Sequence, residues 1–197
     1  MRRRRGGVPE PVKGGSRLGR DLGAYLSEDG GHVRLLEKAD LEPIRVLPTG
    51  CIALDVATGV GGYPWGRMII AHGDEACGKT TLALLAAAEC QRLGGIVLYL
   101  DWEHKLDARY AAALGVDVEN LIIGSPDYIE AGFGLLTRAA IHARTQDPDC
   151  PILFVWDSLQ GASAKKTFDG DWDPAGYPPE ARAYSVCMQK FSGILFR

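Results

Sequence analysis

The stretch Gly73-Asp74-Glu75-Ala76-Cys77-Gly78-Lys79-Thr80 has the spacing G-x-x-x-x-G-K-T, which lets a backbone wrap around a row of phosphates. Glycines permit the close approach, free N–H groups at the start of a following helix meet the negative charge, and the lysine reaches the outer phosphates. The hydroxyl of Thr80 would serve a Mg²⁺ ion. With Thr81 included, Gly73 to Thr81 is the candidate nucleotide-binding segment. A chance glycine turn is the competing explanation in a chain with 25 glycines. At average residue usage the match arises by chance in roughly one chain of this size in a hundred. Its position between an apolar run and a Leu/Ala-rich segment lowers that further.

Two acidic positions follow, each at the end of an apolar run, where parallel α/β sheets place their ligand sites. Asp157 closes Ile152-Leu153-Phe154-Val155-Trp156, and its carboxylate could hold Mg²⁺ directly or through water. Without the preceding loop motif it would be read as a cap or turn acid. Glu103, in Asp101-Trp102-Glu103-His104, could orient and deprotonate an attacking water. Asp101 and His104 are more often structural at such a place, as a turn former and a hydrogen-bonded neighbour.

The elements that must hold these groups alternate between strand and helix. Strands are expected at 67–71, 96–101, 120–123 and 151–157, and helices at 79–93, 107–114, 127–144 and from about 180 to the end. Runs such as Ile96-Val97-Leu98-Tyr99-Leu100 are apolar throughout, as a parallel strand covered on both faces must be. The fold class is therefore α/β, a mostly parallel sheet with helices on both faces. Residues 1–45 read as a basic arm and a small attachment, weakly helical between Leu18 and Asp40, and residues 46–197 as the main domain.

Of the 197 residues, 46% are hydrophobic and 24% charged, enough for one sizeable core. The five cysteines lack metal-site or redox-pair spacing, so reduced thiols and a cytoplasmic setting are expected. No apolar run approaches a membrane span, and no membrane role is expected. The net charge of −3 is uneven. Residues 1–20 hold seven basic side chains against Glu10 alone, a net +6 that leaves −9 for the remainder. Such an arm can hold phosphate backbones, although a solvated tail is the simpler reading.

Taken together these residues resemble the bacterial RecA recombinases. The similarity lies in Thr49-Gly50-Cys51-Ile52-Ala53-Leu54-Asp55, in Gly59 to Arg67, and in Asp101-Trp102-Glu103-His104-Lys105-Leu106-Asp107 with Tyr110 and Leu114-Gly115-Val116-Asp117. It runs from about Pro48 to Arg197. The resemblance implies a RecA-like P-loop NTPase that binds ATP and Mg²⁺. In it Glu103 is the general base, Lys79 meets phosphate, Thr80 and Asp157 serve the metal, and Tyr110 stacks on adenine beside Asp107. It also implies single-stranded DNA as a partner, homologous pairing and strand exchange as the activity, and a homo-oligomeric filament as the working form. The first DNA-binding loop would fall near residues 161–182, with Lys165, Lys166 and Arg182 as phosphate contacts and Trp172 or Tyr177 against bases. Asp169, Asp171 and Asp173 oppose that assignment.

Departures from the family pattern carry expectations of their own. Cys77 stands where the family usually has serine. The N-terminal segment lacks the long amphipathic docking helix, which makes filament assembly less secure than nucleotide binding. The chain stops at Arg197, within the helix after the first loop. The next core strand, the glutamine-bearing γ-phosphate sensor and the second DNA-binding loop would then be missing, as in a partial gene product. The alternatives are a nucleotide-binding fragment that does not hydrolyse ATP and another RecA-fold ATPase, such as a helicase or a KaiC-like regulator.

Overall fold

Three apolar runs pair side by side to make the sheet on which the site is built. In the computed structural model, which describes residues 22, 24–26, 43–168 and 179–195, the chain divides into two units, Met1–Pro43 and Ile44–Arg197. The second unit carries the loop motif and the candidate acids. Its main sheet is parallel, in the order β4-β3-β5, formed by Leu121–Gly124 (β4), Ile96–Asp101 (β3) and Ile152–Asp157 (β5). The β3–β5 register sets Ile96 opposite Ile152 and Asp101 opposite Asp157, so the two strand-end aspartates lie at one edge of the sheet.

Successive side chains of β3 point to opposite faces, and both faces are covered. Val97 and Tyr99 pack with helix α2 (Lys79–Arg92), helix α3 (Ala108–Ala113) and Val155. Leu98 and Leu100 pack instead with α4 (Ile129–Gln146), α6 (Pro179–Leu195), Phe154 and Trp156. Helix α2 is rich in Leu and Ala, good helix formers, and buries Leu84, Ala86, Ala87 and Cys90. It ends at Gly94, in the left-handed region at φ 77°. The N–H groups of Gly94 and Gly95 return to the carbonyls of Gln91 and Cys90, both at 2.9 Å, the Schellman arrangement that glycine favours. Helix α4 buries Ile129, Gly132, Phe133, Leu136, Ala140 and Ala143, a stripe at helical spacing. Beneath it the rings of Trp102 and Trp156 stack with centroids 4.9 Å apart and planes at 26°.

A second, smaller sheet pairs Val46–Leu47 (β1) antiparallel with Tyr63–Pro64 (β2), with helix α1 (Ile52–Thr58) between them. Here Thr49 is fully buried. Its N–H donates to Asp55 Oδ1 at 2.9 Å, and its hydroxyl bridges the N–H and carbonyl of Cys51 at 3.1 Å each. Gly50, at φ 77°, leaves no room for a Cβ, which would lie 2.8 Å from Cβ of Leu85. The Thr49-Gly50-Cys51 lead-in is thus a packed turn against α2.

The expected strand at 67–71 does not form. The segment runs outside both sheets, with Met68, Ile69 and Ile70 exposed by 48%, 49% and 65%. An apolar run becomes a strand only where its N–H and C=O groups find a partner ladder. Among the described residues none lies beside it, and β5 is left at the sheet edge. The other expected elements stand within two residues of their positions. Of the expected helical stretch 18–40, only Leu22 and Ala24–Leu26 are described, and these are helical.

Candidate functional site

The loop motif and the later acids meet at the C-terminal edge of the parallel sheet. Residues 73–78 form a turn, exposed from 73 to 77, whose backbone leaves the ordinary regions at Gly73 (φ 158°), Ala76 (φ 58°) and Gly78 (φ 94°). A Cβ on Gly73 would lie 2.8 Å from Sγ of Cys77, so the thiol closes over the start of the loop. Gly78 caps α2 without a side-chain hydrogen bond, and no acid occupies the helix's first turn. The first N–H groups of the helix thus lack a capping side chain at Gly78, and the positive end of the helix dipole lies at the loop. Lys79 curls over the loop, its ammonium donating to the carbonyls of Gly73 at 2.9 Å and Asp74 at 2.6 Å. Glu75 lies in the same turn.

Thr80, in the first turn of α2, donates its hydroxyl to Asp157 Oδ2 at 2.8 Å, across 77 residues of sequence. One hydroxyl and one carboxylate held in contact beside a lysine and an anion-receptive helix start are the donors a Mg²⁺-nucleotide requires, so the residues fit that group. Thr81 lies one residue on, its hydroxyl 2.8 Å from the phenol of Tyr110. Tyr110 is 44% exposed and so presents part of its ring beside the loop. Asp107 caps α3, accepting the N–H groups of Arg109 at 2.8 Å and Tyr110 at 3.3 Å; its carboxylate fixes the helix that carries Tyr110.

Glu103 sits just past β3, where the N–H of Trp102 bonds to the carbonyl of Asp157 at 2.9 Å. Its carboxylate accepts from Lys105 Nζ at 2.7 Å and from the Ser158 hydroxyl at 2.7 Å. The hydrogen bond from Lys105 first, then that from Ser158, and then the charges of Lys105 and Lys79 hold its pKa below the usual carboxylate value. Lys105 is raised in return by Glu103. Asp101 is buried and ties down the following turn, accepting from the N–H groups of Lys105 at 3.3 Å and Leu106 at 3.0 Å. His104 adopts φ 53°, in keeping with a turn role.

Sequence reasoning missed three partners of the acids. Tyr99, fully buried in β3, donates its phenol to Asp157 Oδ2 at 2.5 Å. Burial, followed by the hydrogen bond to Asp157, pushes that phenol far above its ordinary value, so it remains a donor. Ser158 and Lys105 are the partners of Glu103. The alternation of β3, which puts Tyr99 and Asp101 on one face, was the signal available for the first; the other two depend on turn geometry.

The residues suggested for DNA fall on different elements. Lys165 and Lys166 are exposed in the short helix α5 (Lys165–Phe168). The N–H of Lys165 donates to Glu130 Oε2 at 3.0 Å, and its ammonium stands 5.6 Å from the Tyr128 ring centroid. Arg182 is exposed on α6. Trp172, Tyr177 and the acids at 169, 171 and 173 lie outside the described residues, as does the basic arm.

A glycine-rich loop opening a helix, a threonine hydroxyl on a strand-end aspartate and an acid one strand away define the class: an α/β fold of the P-loop NTPase type. Comparison with known proteins narrows it. The RecA N-terminal domain model matches residues 27–197, and the chain belongs to the RecA family. It is similar to Protein RecA of Desulfotalea psychrophila, 44% identical over 168 residues, which cover 85% of this chain and 45% of that protein. The corresponding proteins of Wolinella succinogenes and Francisella philomiragia are 42% and 40% identical over the same length. The chain spans about half the length of these curated relatives, 45–46%.

Proposed function

We propose that this chain binds ATP with Mg²⁺ at Gly73–Thr81 and forms the nucleotide-binding part of a DNA strand-exchange recombinase. The observation that carries the reading is the 2.8 Å contact between Thr80 and Asp157, which joins the loop to the strand-end acid where one cation would need both. Lys79 moves from the Gly73 and Asp74 carbonyls to the outer phosphates. Tyr110, steadied by Thr81 and by the cap at Asp107, offers a face for adenine. Mg²⁺, held through Thr80 and Asp157, supplies neutralisation of charge on the phosphate oxygens. Glu103 aligns the attacking water. As general base it also accepts that water's proton; the hydrogen bonds from Lys105 and Ser158 that lower its pKa keep it in the ionised form the role needs.

Single-stranded DNA is the partner this reading assigns, with Lys165, Lys166 and Arg182 on its phosphates and Trp172 against a base. A homo-oligomeric filament is the working assembly and the cytoplasm its setting. Among the described residues no helix is long and apolar enough to cross a membrane. The test is ATP hydrolysis by the purified chain, with and without single-stranded DNA, at low salt and with Mg²⁺. DNA-stimulated turnover is the expected result; failure to bind nucleotide would sink the proposal. A second reading, nucleotide binding without turnover, is favoured by the exposed segment 67–71, which leads into the loop but joins neither sheet. Binding with no hydrolysis under either condition would select it.

A further inference from the structure

We propose that Tyr99 is a positioning residue for the Asp157 carboxylate, and that its hydroxyl sets how much Mg²⁺ the nucleotide site requires. The inference rests on the assignment of Asp157 to the metal given above. Tyr99 is 1% exposed, in the middle of the central strand, with its ring packed among the side chains of α2, α3 and β5. That packing asks only for an aromatic ring, and phenylalanine would satisfy it. The hydroxyl is the atom left to explain. Its one hydrogen bond among the described residues runs 2.5 Å to Asp157 Oδ2.

The same oxygen receives Thr80 at 2.8 Å. Asp157 Oδ2 is therefore held from two directions, by the first turn of α2 and by the neighbouring strand β3. A carboxylate held by one hydroxyl can still rotate about its Cβ–Cγ bond; held by two on the same oxygen, it cannot do so without breaking both. Among the described residues Oδ1 accepts no hydrogen bond, so it is the oxygen turned to a cation or to a cation's water. Groups that orient a metal's carboxylate in this way commonly contribute about 10- to 100-fold in metal affinity. Tyr99 differs from Thr80 in being buried in the core, whereas Thr80 is exposed at the loop, so Tyr99 acts through Asp157.

The test uses the full 197-residue chain and a fluorescent N-methylanthraniloyl ATP, with binding followed as Mg²⁺ is titrated. Tyr99→Phe keeps the ring and removes the hydroxyl. The Mg²⁺ concentration for half-maximal binding should rise about 10-fold, while binding in EDTA stays at the wild-type value. Mn²⁺ bound to the nucleotide-loaded protein, counted by electron paramagnetic resonance, should weaken in parallel. On an Asp157→Asn background, Tyr99→Phe should add nothing. A Tyr99→Phe chain with the wild-type Mg²⁺ midpoint overturns the proposal even if its melting temperature falls, because the hydroxyl would then serve packing alone. If the wild-type chain binds the nucleotide with no dependence on Mg²⁺, the assignment of Asp157 fails and this inference falls with it. The two failures are told apart by the wild-type curve.

Discussion

Cys77 and Cys90 sit on the same polypeptide thirteen residues apart, in opposite surroundings, and their reactivity toward a thiol reagent should report on the loop. Cys77 is exposed at the mouth of the loop, its Sγ 3.8 Å from the Lys79 ammonium. Cys90 is fully buried in α2, and burial first, with the nearby Cys150 thiol second, pushes its pKa from 9.0 to about 11. At pH 8 a thiol with that pKa holds about a hundredth of the thiolate of an ordinary one, and the reagent must also wait for the helix to open. Iodoacetamide at pH 8, with labelled sites mapped by peptide mass spectrometry over time, should therefore modify Cys77 at least about 100-fold faster than Cys90. A nucleotide seated over the loop covers Cys77 but leaves Cys90 unaffected. With MgATP at 100 times its Kd, the unliganded fraction is about 1%, so Cys77 labelling should slow about 100-fold. If nucleotide binds by an independent measurement and Cys77 labels at an unchanged rate, the ligand is not on this loop. If Cys90 labels as fast as Cys77 in the native chain, the described packing of α2 is wrong.

Three further expectations can be checked directly. Above pH 9 the fold should lose stability, because an unfolded Cys90 ionises at its ordinary 9.0 while the folded one resists until about 11; Tyr184, moved by burial from 10.0 to about 12, extends the decline. Thermal melts across this window should show the fall, and Cys90→Ala should flatten its first part. Gly132→Ala places a methyl 2.7 Å from the Trp156 ring and 2.9 Å from Trp102, and chemical denaturation should record a loss of about 1–3 kcal/mol. Glu103→Gln should leave nucleotide affinity largely intact while removing hydrolysis; normal turnover in that variant would withdraw Glu103 as the group that activates water.

Much of this architecture was legible because β3 and β5 are covered on both faces and so had to be continuous apolar runs, and because α2 and α4 carry long helical patterns. The loop motif and Asp157 were legible for a related reason: each is a local arrangement with a recognisable spacing. What escaped was non-local. The run at 67–71 has the composition of a strand, but pairing belongs to the neighbour and not to the run itself. Strands β1 and β2, two residues each, are too short to show a period. The hydrogen bonds of Tyr99, Ser158 and Lys105 to the two acids depend on the β3–β5 register and on the turn after β3, and neither is written in any one stretch of residues.

The stacked indoles of Trp102 and Trp156 have an optical consequence. Each is the immediate neighbour of a site acid, Glu103 or Asp157, and their buried ring nitrogens find no hydrogen-bond acceptor among the described residues. Two chromophores with centroids 4.9 Å apart couple their transition dipoles and give an exciton pair in circular dichroism. Indoles lacking a polar partner emit toward the blue. Any ligand that shifts the Glu103 turn relative to the end of β5 must change the angle between those dipoles. The chain thus carries an internal gauge of its own site, readable without a label.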